Sequence, residues 1–266
     1  MIAVLLTYLA GGAVAGVLAG LLGIGGGLVI VPMMVFFLTK QGVAHEVIMH
    51  LALGTSMGSI VFTSVSSFMA HHRRGAVHWE AVRRIVAGIV AGTFLGSFVA
   101  ARLSTNFLKG FFVVFLYYVA VQLILDRKPK PSRSFPGTVG MTGAGGVIGM
   151  VSSFVGIGGG TLSVPFLIWC NLAVHRAIGT SAAIGFPIAI AGTLGYLVNG
   201  WGHASLPAYS AGYLYLPALA GIVAASIATA PLGVRLAHSL PVARLKRIFA
   251  GFLLLVATRM LWDMVR

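Results

Sequence analysis

At 266 residues the chain is 58% hydrophobic and only 8% charged, with a mean hydropathy of +1.00, a balance that leaves a soluble domain too few polar groups to cover its surface. The formal net charge of +14 does not call for a nucleic-acid partner: the eighteen Lys and Arg sit mostly in short connections between apolar segments, where the positive-inside rule accounts for them. Cys170 is the only cysteine, which excludes a disulfide framework or a cysteine-based metal site within one chain.

In chain order, apolar segments occur at about 2–22, 28–39, 47–70, 81–103 and 107–125, then at about 137–155, 161–171, 177–199, 209–234 and 243–262. Most are long enough to cross roughly 30 Å of hydrocarbon at about 1.5 Å per residue. Those at 28–39 and 161–171 are too short and read as half-helices or re-entrant arms. The expected fold is an all-α polytopic membrane protein of two inverted-topology repeats, 1–126 and 137–266. It has about eight transmembrane helices, or up to ten helical segments with the half-helices included, and is discontinuous at two glycine-rich turns. The polar, proline-rich stretch at 127–136 is the expected linker.

The repeat is visible in four blocks. Gly23-Ile24-Gly25-Gly26-Gly27 with Pro32 returns as Gly156-Ile157-Gly158-Gly159-Gly160 with Pro165, an offset of 133 that also relates Gly12 and Gly16 to Gly145 and Gly149. His50-Leu51-Ala52-Leu53-Gly54-Thr55-Ser56 returns as His175-Arg176-Ala177-Ile178-Gly179-Thr180-Ser181 at an offset of 125. Gly96, Leu103, Leu108-Lys109 and Phe112 return as Gly233, Leu240, Leu245-Lys246 and Phe249 at an offset of 137.

Loop charges orient the chain. If each spanning segment reverses direction, thirteen Lys and Arg fall on the side of the 71–80 connection and the central linker, and five on the other. The richer side is expected to be cytoplasmic and both termini external. The 71–80 connection and its repeat partner at 200–208 then lie on opposite sides, which is the parity of an inverted repeat.

Consecutive glycines inside apolar sequence are costly, at roughly 1 kcal/mol each against alanine, and unwound backbone in hydrocarbon must line a cavity or be buried in protein. Gly25, Gly26, Gly27 and Gly158, Gly159, Gly160 are therefore candidate substrate-binding residues. Their N–H groups and the positive ends of the half-helices that follow would suit an anion. Thr161, and with it Ser152 and Ser153, could add hydroxyl donors. Close helix packing is the alternative. Neither turn continues into the Gly-Lys-Ser/Thr of a phosphate-binding loop. Gly12, Gly16, Gly20 and Gly88, Gly92, Gly96 recur every four residues and read as helix-packing positions. Thr55, Ser56, Thr180 and Ser181 are further candidates for substrate binding, with bonding back to their own helices as the alternative. His50 and His175 suggest a gate or a proton-linked role. No metal site and no cofactor are expected. The only acidic residues, Glu46, Glu80, Asp126 and Asp263, lie at or near segment ends, so a cation substrate would lack a counter-charge and a small anion fits better.

Residues 20–32, Gly-Leu-Leu-Gly-Ile-Gly-Gly-Gly-Leu-Val-Ile-Val-Pro, resemble the signature of the sulfite exporter TauE/SafE family of membrane permeases. The second copy at 156–165, the paired Gly-Thr-Ser elements and His72-Arg73-Arg74-Gly75 fit the same pattern. The resemblance covers essentially the whole chain. It implies a multi-pass inner-membrane transporter that exports sulfite, sulfoacetate or a related organosulfonate, by alternating access, with the lipid bilayer as its surroundings. No enzymatic constellation is present in the segments. A structural or assembly subunit is the alternative, though it gives no reason for duplicated glycine turns, and homodimerisation is left open.

Overall fold

The computed structural model describes residues 2–22, 26–125, 134–239 and 242–265. The chain runs through α1 (Ile2–Leu22), α2 (Gly27–Lys40), α3 (His45–Arg73), α4 (Trp79–Arg102) and α5 (Thr105–Leu125). It continues through α6 (Thr138–Val155), α7 (Gly160–Trp169), α8 (Val174–Asn199), α9 (Leu216–Ser239) and α10 (Val242–Val265). Each segment expected from hydropathy forms one of these helices. The linker expected at 127–136 lies outside the described residues apart from 134–136.

One boundary differs. The segment expected to be helical from 209 begins its helix at Leu216, after an antiparallel hairpin of β1 (Ser210–Ala211) and β2 (Leu214–Tyr215). Tyr209 and Gly212 have φ of 65° and 54°, values that a right-handed helix cannot contain. Gly212 opens a two-residue turn, the place where a hairpin favours glycine with positive φ.

Among the described residues, α3, α4, α5, α6 and α8 are each long and apolar enough to cross a membrane. Large apolar side chains face outward, such as Val139 at 88% and Leu255 at 69% exposure, a surface suited to lipid rather than water. The fold is that of an all-α polytopic membrane protein. With 14 and 10 residues, α2 and α7 would reach only about 21 and 15 Å, short of a roughly 30 Å hydrocarbon core.

The most extensive pairings are α1 with α9, α4 with α6, α3 with α8, and α5 with α10. Exchanging the two halves turns the first pairing into the second and leaves the other two unchanged. The match extends to single residues. An added Cβ on Gly12 would stand 2.7 Å from Ile222 Cα, and one on Gly145 2.5 Å from the carbonyl oxygen of Ile85. Ile222 and Ile85 are themselves repeat equivalents. Gly16 meets Ser226 and Gly149 meets Ile89 in the same manner, while Gly92 lies against the backbone of Gly146. The four-residue glycine spacing on α1 and α4 thus serves backbone contact between helices, which a side chain would prevent.

Candidate functional site

Two helix starts of the same unusual kind define the site. Gly26 precedes α2 with φ 70°, ψ −24°, and Gly159 precedes α7 with φ 76°, ψ −9°. Both are left-handed, a conformation that glycine adopts at little cost. Each carbonyl then receives the N–H groups of the third and fourth helical residues. Gly26 accepts from Val29 and Ile30 at 2.9 and 3.0 Å, and Gly159 from Leu162 and Ser163 at 3.0 and 2.8 Å. Gly25 lies outside the described residues.

The two turns meet. Gly27 abuts the carbonyl of Gly156, and a Cβ there would also press Ile157 at 3.1 Å. Ser56 on α3 donates its hydroxyl to that same Gly156 carbonyl at 2.8 Å. Gly158 faces Ile60 of α3, and its carbonyl lies where a side chain on Gly185 of α8 would begin. The second turn is thereby held among α2, α3 and α8, with Gly156, at φ 67°, closing α6 just before it.

The hydroxyls around this point divide into engaged and unengaged. Ser163 donates to the Gly159 carbonyl at 2.9 Å and lies 2.6 Å from Ser181 Oγ. Since the Ser163 hydrogen is committed to Gly159, Ser181 is the donor to Ser163. Ser152 Oγ and Thr161 Oγ1, by contrast, are buried without any hydrogen-bond partner. Ser152 is fully buried, and its Oγ stands 3.7 Å from the place of a Cβ on Gly159. Thr161 is the second residue of α7, in the turn whose N–H groups have no acceptor within the helix. Native proteins seldom leave buried hydroxyls unpaired. In the first half the equivalent positions are Ala19 and Leu28, so this polar equipment belongs to the second turn alone. Ser163 escapes a search for duplicated motifs because its equivalent is Ile30; its spacing of four from Gly159 is the signal that marks it.

Thr55 and Thr180 are each engaged by a loop of the other half. Thr55 Oγ1 accepts the N–H of Tyr215 at 3.0 Å, and Thr180 Oγ1 accepts that of His78 at 2.9 Å. The glycine before each threonine admits the same loop: Gly54 abuts the carbonyl of Tyr213, and a Cβ on Gly179 would lie 2.6 Å from that of Ala76. His78 also caps α4, accepting from Ala81 N–H at 3.2 Å. The Gly-Thr pairs are clasps that hold the entries to α9 and α4.

The two histidines of the repeated element are not brought together. His175 is exposed. His50 is buried, with Nδ1 3.0 Å from the Glu46 carbonyl and Nε2 3.2 Å from that of Ala100. Its ring stacks on Tyr213 at 5.0 Å. Burial, and then the nearby Glu46 carboxylate, push the Tyr213 hydroxyl up from its ordinary range, so it stays neutral. The described carboxylates stay away from the glycine turns. Glu80 pairs with Arg84 on the surface, Asp263 lies 3.4 Å from Arg259, and Glu46 accepts from Ser205.

Comparison with known proteins accords with this architecture. A membrane transporter protein of Haemophilus influenzae, named as probable, is 41% identical over 94% of this chain and 95% of its own. The probable membrane transporter protein YunE of Bacillus subtilis is 27% identical over 71% of this chain and 77% of its own. A protein of the same description from Methanocaldococcus jannaschii is 26% identical over 91% and 90%. No solved structure matches the chain. The family described as sulfite exporter TauE/SafE matches residues 8–260, and the chain belongs to this family.

Proposed function

We propose that the protein is a membrane transporter that exports a small sulfur-containing oxyanion, sulfite, sulfoacetate or a related organosulfonate, across the inner membrane by alternating access. The observation that carries this reading is the pair of unpartnered hydroxyls, Ser152 and Thr161, beside the left-handed Gly159 at the start of α7. A helix start offers free N–H groups and partial positive charge. Two spare hydroxyl donors there suit an oxyanion with several acceptor oxygens, in a region that the described carboxylates avoid. Gly158, Gly159 and Gly160 supply the approach, Ser152 and Thr161 the donors, and Ser181 positions the turn through Ser163. Gly27 serves by packing on Gly156, and Gly26 by opening α2.

The exchange of helix pairings between the halves supports an inverted repeat, the architecture in which a mid-membrane site opens alternately to either side. The distribution of basic residues supports a cytoplasmic 71–80 connection and central linker, with external termini. Outward movement of one negative charge gains about 2.3 kcal/mol per 100 mV of inside-negative potential, so the membrane potential by itself favours export. The test is flux of sulfur-labelled sulfite from proteoliposomes of the purified protein, with phosphate and acetate as competing anions. Saturable sulfite flux that neither competitor suppresses is expected. Absence of flux for every oxyanion would leave a structural subunit as the better reading.

A further inference from the structure

The clasp between α3 and the hairpin buries a histidine ring between two carbonyl oxygens, an arrangement absent from its counterpart among the described residues. We propose that His50 is a proton-binding site, and that the bound proton ties α3 to the end of α4 and to the 210–215 hairpin. The ring is 4% exposed, and each nitrogen faces a backbone carbonyl oxygen: Nδ1 that of Glu46 at 3.0 Å, Nε2 that of Ala100 at 3.2 Å. A carbonyl oxygen only accepts, so both contacts are hydrogen bonds only when both nitrogens carry hydrogen. A neutral imidazole has one N–H, and at the other contact its lone pair would oppose that of the carbonyl. Burial works against the charge, while the two carbonyl oxygens at hydrogen-bond distance favour it.

When the proton leaves, one of the two bonds is lost. The other attachments of α3 to the hairpin remain: Gly54 against Tyr213, Thr55 on the Tyr215 N–H at 3.0 Å, and the ring stacking at 5.0 Å. The titratable and charged groups around the ring are few. Glu46 stands one turn back on α3 with its carboxylate bonded by Ser205. Tyr213 stacks on the ring from the hairpin, with His203 at 5.9 Å and Tyr196 of α8 at 6.4 Å from the Tyr213 ring. Arg102 is exposed at the end of α4, and α5 contributes uncharged Thr105, which donates to the Glu46 carbonyl at 2.7 Å. None of these pairs directly with the imidazole among the described contacts.

The equivalent clasp cannot respond in this way. His175 is exposed, and Ala76 stands where Tyr213 would be. Among the described residues the ring held between two carbonyl oxygens thus belongs to one clasp only, and a carrier that opens alternately would feel a proton bound there on one face. That service to a transport cycle rests on the function proposed above, whereas the proton site itself is measured without substrate.

Two measurements on the full chain test it. Imidazole nitrogen NMR is recorded on the full chain, and the signals of His50 are identified by their loss in His50→Gln. At the acidic end of a pH titration two N–H groups are expected on the His50 ring, with one lost as the pH rises; a single N–H at every pH at which the protein stays folded would overturn the proposal. In the second, maleimide labelling of Leu206→Cys is followed in a Cys170→Ser background, with Ala204→Cys as the exposed reference for thiol ionisation. Labelling should rise about five-fold from the acidic to the basic end of that titration, the equivalent of one hydrogen bond. The His50→Gln variant should label fast at both, and His203→Gln should keep the dependence. A pH dependence that is absent from the parent, retained in His50→Gln, or lost in His203→Gln alone would overturn the proposal.

Discussion

Thr55 of α3 accepts the backbone N–H of Tyr215 at 3.0 Å, across 160 residues of sequence. Thr180 of α8 does the same for His78 at 2.9 Å. The two bonds coincide when the halves are exchanged. Each threonine follows a glycine that lets the same loop approach, so the repeated Gly-Thr elements bind the two halves to one another.

Replacing Thr55 with valine keeps the shape and strands a buried N–H, at a cost of about 1–3 kcal/mol. Thr55→Ser keeps the acceptor and should cost much less. The same order is expected at Thr180, with His78 as the stranded donor. Thermal unfolding in detergent reads both pairs. A valine variant as stable as the parent would show that the clasps contribute little.

Glycines with different duties should fail differently. Gly159 has a positive φ, so valine there strains the turn and crowds the approach to the site. Gly92 has an ordinary helical backbone, but a Cβ would stand 2.7 Å from Gly146 Cα and force α4 from α6. Gly159→Val should lower transport roughly tenfold or more, about 1.4 kcal/mol, with membrane expression retained. Gly92→Val should lower the yield of folded protein. Loss of folded yield in both, with normal activity per folded molecule, would make the turn a packing device as well.

Much of the fold is legible in the sequence because membrane helices need long apolar runs and all backbone bonds satisfied internally. The ten segments, the repeat and the packing role of Gly12, Gly16, Gly88 and Gly92 all follow from such patterns. The 210–215 hairpin does not, since Tyr209 at positive φ leaves no signature and the apolar run continues through it. Side-chain duties are less visible still. Thr55 and Ser56 adjoin in sequence, yet one holds a loop and the other holds Gly156. His50 and His175 look equivalent, but the ring that buries one is replaced by Ala76 beside the other's clasp. Ser152 stands out only once its neighbours are known to leave it unpaired.

Topology can be checked independently of transport. Arg74 and Ala204 are exposed in loops between α3 and α4 and between α8 and α9, which the inverted arrangement puts on opposite sides. In intact cells carrying Cys170→Ser, an impermeant maleimide should label Ala204→Cys and spare Arg74→Cys. Labelling of both from outside, or of Arg74→Cys alone, would refute the orientation.

The central claim is that the unpaired hydroxyls at the second turn bind the oxyanion, and ligand-induced thermal stabilisation of Ser152→Ala/Thr161→Val tests it most directly. Without ligand, removal of two buried and unpaired hydroxyls should leave the melting temperature unchanged or raise it. With sulfite, the parent should gain stability as a bound ligand requires. The double variant should need roughly tenfold or more higher concentration for the same shift, about 1 kcal/mol for each lost hydrogen bond. Equal sulfite stabilisation of parent and variant would contradict the account.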